Sequence, residues 1–286
     1  MCDDVTRIAD DAALSRRQLG MLGAAAVVAS CSGTSADGAA RTGLVESEVS
    51  IPTPDGTADA FFVYPAKGSH PAILLWPDIG GLRDVFKDMA RRLAGKGFAV
   101  LAVNQYYRSA KAPVLESFAQ WRTPEGQAKL KPMIAQINAQ ATRSDAVAFV
   151  GWLDRQAGVS KTHGIGTCGF CMGGPFTVRT AAAVPDRVRA AASLHGAGLV
   201  GPDAASPDKL LSTTRASFLF AIARNDDARA PGDKDVLRAA AAAAGRPAEI
   251  EVYAADHGWT VADSPVYDKA QAESALARMH ALFKAL

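Results

Sequence analysis

From Val45 onward the rhythm of apolar and polar positions changes repeatedly. Val45 to Ile51 and Ala58 to Tyr64 alternate polar with apolar around Pro54-Asp55-Gly56, which predicts an antiparallel hairpin at a sheet edge. Pro71 to Trp76 and Phe98 to Val103 are uninterrupted apolar runs, as expected of strands covered on both faces. Further strand-like runs span His163 to Cys168, Val188 to Leu194, Ser217 to Ala223 and Glu249 to Tyr253. Between them lie stretches of helical spacing: Asp84 to Lys96 with Gly97 as its stop, Ala141 to Gln156 with Ala146, Phe149, Val150 and Leu153 on one face, Lys234 to Ala244, and Asp268 to Leu286. Strands that alternate with helices predict one α/β domain: a mostly parallel sheet of about seven or eight strands with helices on both faces. Gln105 to Lys131 breaks the series. Its periodicity is weak and it holds two prolines and several aromatics, so it is expected to form a partly helical excursion over the sheet edge, a lid.

Composition narrows the function classes. Lys and Arg number 31 against 29 Asp and Glu, a formal charge of +2, and no basic stripe is interleaved with aromatics, which sets nucleic acid aside as a partner. Hydrophobic residues at 49% with 21% charged are those of an ordinary globular chain able to bury a sizeable core.

Residues 1–31 are not expected to join the fold. Arg16 and Arg17 precede an uncharged apolar stretch, Leu19 to Ala29, too short to span a bilayer. This layout resembles a twin-arginine export signal. Val28-Ala29-Ser30-Cys31 resembles a bacterial lipobox, which implies lipidation of Cys31, a tether over residues 32–44 and export to the periplasm or cell envelope. Contact with the membrane is then expected only through that lipid, with a folded domain over residues 45–286 that is a monomer.

The chemistry gathers around Gly166-Thr-Cys-Gly-Phe-Cys171-Met-Gly-Gly174, which lies between a strand and a helix-forming run. Glycines two residues either side of Cys171 suit a nucleophile raised on a sharp strand-to-helix turn, where flanking positions approach neighbouring strands too closely for side chains. The start of the following helix offers N–H donors and a positive dipole end, both favourable to a thiolate and to an oxyanion. A thiol nucleophile needs a base, and the base needs an orienting acid. Asn225-Asp226-Asp227 and Asp256-His257-Gly258-Trp259 follow later strands in the order nucleophile, acid, histidine that α/β-hydrolases use.

Leu-Leu-Trp-Pro-Asp-Ile-Gly-Gly, Gly-Phe-Cys-Met-Gly-Gly and Ala-Asp-His-Gly-Trp resemble the dienelactone hydrolase family over roughly residues 45–284. The resemblance implies an α/β-hydrolase that opens lactones or cleaves carboxylic esters, a small-molecule substrate, through a Cys–His–Asp triad and a thioester, with no cofactor. Cys171 and His257 match the nucleophile and base. Counting forward from the strand gives Asp226 as the acid, and counting back from Pro231 gives Asp227; Asp226 is chosen. Ile79 and Met172 match the backbone donors of the oxyanion hole. Asp78 stands where the family has a glutamate near the nucleophile, and Arg108 matches an arginine that helps bind a substrate carboxylate. No arginine follows His257 where the family has a second one, a departure that counts against small anionic dienelactones. His195, after another strand, is expected to line the same cleft.

Two readings compete. Cys168-Gly-Phe-Cys171 is also the Cys-x-x-Cys of thiol–disulfide oxidoreductases, and a non-catalytic binding lipoprotein would need no triad. The spread of His and Cys residues fits no metal-ligand spacing.

Overall fold

A computed structural model describes residues 43–286. The expected export signal, Cys31 and most of the tether lie outside the described residues. Eight strands form one sheet in the order β1-β2-β4-β3-β5-β6-β7-β8. The hairpin is β1 (Leu44–Thr53) and β2 (Gly56–Pro65), and β2 also runs antiparallel to β4 (Ala99–Val103). The remaining pairings are parallel: β3 (Ala72–Trp76), β5 (Ile165–Phe170), β6 (Val188–Leu194), β7 (Ser217–Ala223) and β8 (Ala248–Tyr253).

Helices cover both faces, as runs buried on two sides require. On one face α1 (Asp84–Ala94) and α9 (Lys269–Phe283) bury Phe86, Leu93, Met279 and Phe283. On the other, α4 (Ala139–Leu153), α5 (Gly174–Ala183) and α8 (Asp233–Ala244) bury Phe149, Phe176 and Leu237. Short helices α2 (Phe118–Trp121), α3 (Pro124–Ile134), α6 (Pro207–Leu210) and α7 (Arg224–Arg229) belong to the connections.

The chain leaves β3 toward β4 on one side and returns on the other side as β5, so strand order reverses between β3 and β5. In open α/β sheets the crevice beyond the carboxyl ends at such a reversal is where ligands bind. The loops carrying Asp78 to Gly81 and Cys171 both start there. Two expectations need correction. The strand placed at His163 to Cys168 starts at Ile165 and continues to Phe170, so Cys168 and Gly169 are strand residues. The excursion after β4 does not merely cross the sheet edge: its helices α2 and α3 pack over Cys171.

Candidate active site

Cys171 has φ of 52°, a left-handed conformation that a non-glycine residue adopts at a cost of about 1–3 kcal/mol. The neighbouring glycines explain how the turn closes. A Cβ on Gly169 would stand 2.0 Å from the carbonyl oxygen of Gly173, and one on Gly173 would stand 2.5 Å from the carbonyl oxygens of Trp76 and Pro77. Gly174 likewise has room only for hydrogen, because the Gly196 Cα would lie 2.4 Å from its Cβ. The segment after β6 clamps the strained residue: the Cys171 N–H donates to His195 Nδ1 at 3.1 Å, and the Cys171 carbonyl accepts from the Ala197 N–H at 3.4 Å.

His257 sits in the loop after β8. Its Nδ1 meets Asp226 Oδ2 at 2.6 Å, and its backbone N–H donates to Asn225 Oδ1 at 2.8 Å. Asp226 is therefore the carboxylate on the imidazole, whereas Asp227 pairs with Lys234 at 2.6 Å. With Nδ1–H donated to the carboxylate, Nε2 is the nitrogen left to exchange a proton. It is buried and makes no hydrogen bond of normal geometry. Burial alone would lower the pKa of this imidazole; its closeness to the Cys171 sulfur and the Asp226 carboxylate raises it instead, to about 11. Sulfur, imidazole and carboxylate thus converge at one rim of the sheet.

His195 lies at the same rim, fully buried, its ring centroid 5.0 Å from that of His257. Because its Nδ1 accepts from the Cys171 N–H, its proton is on Nε2, which donates to Thr260 Oγ1 at 2.8 Å. Burial first, and the neighbouring His257 second, push its pKa well down, so it stays neutral. It ties the turn that carries Cys171 to the loop that carries His257, rather than only lining the cleft.

Met172 is the second residue of the helical turn that begins at Cys171, so its N–H is among those with no intrahelical acceptor. Ile79 is oriented from behind. Gln105 Nε2 donates to the Asp78 carbonyl at 2.7 Å, and a planar trans peptide then turns the Ile79 N–H the opposite way. Tyr106 Oη donates to the Ile79 carbonyl at 2.7 Å.

Two sequence expectations are displaced. Asp78 does not lean on Cys171. Its carboxylate accepts from the Gly80 N–H and forms a two-pronged pair with Arg83 at 2.7 and 2.9 Å, because Arg83 at the start of α1 presents a matching fork. Arg108 is not free for a substrate carboxylate, since Asp145 and Asp55 hold it at 2.6–3.0 Å. Sequence reasoning missed Arg83, Gln105 and Asp263, which accepts from Arg83 Nε and Nη2 and from the Phe118 N–H. One signal was available for Arg83: it opens a helix without any capping side chain. The two thiols of the Cys-x-x-Cys are free. Cys168, inside β5, packs in the layer of α1 and α9, whereas Cys171, on the turn beyond the strand, packs under the lid, so the two thiols lie in different apolar clusters.

A sharp strand-to-helix turn carrying Cys171 after the fifth strand, Asp226 after the seventh and His257 after the eighth follow the chain order of an α/β-hydrolase. The family model for the dienelactone hydrolase family matches residues 58–286, and the chain belongs to that family. A Methylorubrum extorquens protein named "Putative carboxymethylenebutenolidase" is 29% identical over 248 residues, covering 85% of this chain and 81% of the relative. The crystal structure named "Putative Dienelactone Hydrolase" from Klebsiella pneumoniae superposes with a TM-score of 0.73 at 25% identity, covering 85% of this chain and 99% of the other. A dienelactone hydrolase-like promiscuous phosphotriesterase from metagenomic libraries shares the fold, with a TM-score of 0.68 at 21% identity over 85% of this chain and 99% of that one. The protein is a dienelactone hydrolase-like lactone or ester hydrolase.

Proposed function

We propose that the protein hydrolyses lactones or carboxylic esters through a covalent thioester on Cys171, with His257 as proton carrier and Asp226 as its orienting acid. The observation that carries this reading is the 2.6 Å contact of Asp226 with His257 beside a strained elbow cysteine. In the resting pair His257 holds the proton and Cys171 the negative charge. The thiolate attacks the carbonyl carbon, and the oxygen that becomes negative is received by the N–H groups of Ile79 and Met172. Collapse expels the alkoxide, which takes the proton from His257 Nε2 and leaves as alcohol, or stays attached when the substrate is a lactone. Neutral His257 then removes a proton from water as it attacks the thioester. Collapse of the second intermediate releases the acid and restores the ion pair, so one ester and one water give one acid and one alcohol. Mixing the enzyme with an activated aryl ester and quenching early should give a mass increase equal to one acyl group on the peptide containing Cys171. A burst of phenol with no acyl group on that peptide would overturn the thioester.

The charge state has its own test. The folded pKa of His257 lies above its ordinary 6.5, so its contribution to stability is complete below 6.5 and is lost as pH rises through about 11. Removing the sulfur by Cys171→Ala should lower the His257 pKa, because the largest influence that raises it disappears. An NMR titration of the imidazole Cε1–H reads this directly, and an unchanged pKa would mean the sulfur carries no charge at rest.

A further inference from the structure

Resting on that reading, we infer that the site takes uncharged substrates with an apolar acyl portion and rejects anionic ones. Two independent observations carry the inference. The first is what covers the sulfur. Cys171 is 5% exposed and belongs to an apolar cluster with Ile79, Leu115 and Leu130. Leu130, Met133 and Ile134 recur at helical spacing along α3, and Phe118 and Trp121 of α2 complete the cover. A substrate reaching the sulfur must displace these side chains, so the part of it next to the scissile carbonyl is solvated by hydrocarbon.

The second observation is the state of the cations. A guanidinium has five N–H donors, and at Arg83 all five are taken: Nε by Asp263, Nη1 by Asp78 and the Gly81 carbonyl, and Nη2 by Asp78 and Asp263. Two carboxylates around one guanidinium leave that cluster negative. Arg108 is held by Asp145 and Asp55, Arg229 pairs with Asp226 at 3.5 Å, and Lys129 Nζ donates to the Val114 carbonyl at 2.6 Å. A carboxylate on the substrate would lose its water beneath the lid and find each of these four cations already engaged, while the His257 imidazolium is matched by the Asp226 carboxylate and lies beside the Cys171 sulfur.

The test compares three p-nitrophenyl esters with one leaving group: acetate, hexanoate and hemisuccinate, the last carrying a carboxylate at similar length. For wild type, kcat/KM for hexanoate should exceed that for acetate at least about tenfold and that for hemisuccinate at least about 100-fold, in line with methylene discrimination in an apolar pocket and the cost of an unpaired buried charge. Met133→Arg, which adds a cation to the lid, should move the hexanoate-to-hemisuccinate ratio toward the anion at least about tenfold, from the Coulomb attraction of a partly buried pair. Met133→Gln, polar but uncharged, should not. Hemisuccinate turnover within about threefold of hexanoate, or equal shifts in the two Met133 variants, would overturn the inference. Binding of neutral 2-heptanone against anionic levulinate, followed by tryptophan fluorescence, reads the same preference without turnover. Failure of catalysis through Cys171 therefore remains distinguishable: it leaves the fluorescence preference intact, whereas tighter levulinate binding would sink the substrate class alone.

Discussion

Cys171→Ala is expected to lower kcat for aryl esters and simple lactones by about 10⁴-fold or more, the scale seen when a nucleophile is removed from a triad that works as a unit. The fold should be retained, since alanine fits wherever cysteine does and inherits the same φ of 52°. Cys171→Ser should retain measurable but much slower turnover. Its hydroxyl resists deprotonation far more than a thiol, and no resting negative charge then stabilises the His257 imidazolium. Cys171→Gly separates strain from chemistry. It is equally inactive, but a left-handed residue without a Cβ removes about 1 kcal/mol of strain, so it should match or exceed the alanine variant in thermal midpoint despite the entropy cost of glycine. Full activity in a folded Cys171→Ala protein would remove Cys171 from the reaction.

How much of this was legible beforehand varied with the physics of each segment. Val188 to Leu194 and Ser217 to Ala223 coincide with β6 and β7 because burial on both sheet faces leaves mostly apolar runs, broken in β6 only by Arg189, which is exposed, and the buried Ser193. β5 lies two residues later than the apolar pattern predicts, because Gly166, Thr167 and Gly169 lack the bulk that marks a strand. They are small because of what they touch: a Cβ on Gly166 would meet the Phe283 ring at 2.8 Å. The lid helices were obscured by Pro124 and Pro132 and by an apolar stripe of three residues, shorter than the repeat a periodicity argument needs. Cys171, His257 and Asp226 could be picked out because elbow geometry and strand order constrain sequence locally. The Asp78–Arg83–Asp263 cluster could not. Its members are joined by packing across 180 residues, and an isolated Asp and Arg look the same in sequence whether solvated or buried.

That cluster is where a single substitution should cost the most stability. Asp78 and Arg83 have side chains 2% exposed, so Arg83→Met leaves a carboxylate inside the protein without its cation. Removing one partner of a buried ion pair costs about 3–5 kcal/mol, and the Gly81 carbonyl and Asp263 lose donors as well. The pH dependence has a definite sign. Burial already pushes the Asp78 carboxyl above its ordinary 3.8, while Arg83 and the Gly80 N–H pull it back. Without Arg83 the folded protein binds that proton more tightly still, while the unfolded chain releases it near 3.8. Unfolding then releases a proton, and stability falls as pH rises from about 4 toward the new folded pKa. Arg83→Met should therefore approach wild type in urea denaturation at pH 4 and fall furthest behind at pH 7. Asp78→Leu added to Arg83→Met should recover much of the loss, because two apolar side chains leave no buried charge unpaired. A pH-independent deficit that Asp78→Leu does not relieve would mean Arg83 contributes through its packing over the Phe86 ring at 5.0 Å and not through its charge. Because Asp263 also holds the Phe118 N–H at the start of the lid, the loss should extend to catalysis: as the carboxylate loses its guanidinium, α2 loses its anchor, and KM should rise before kcat falls.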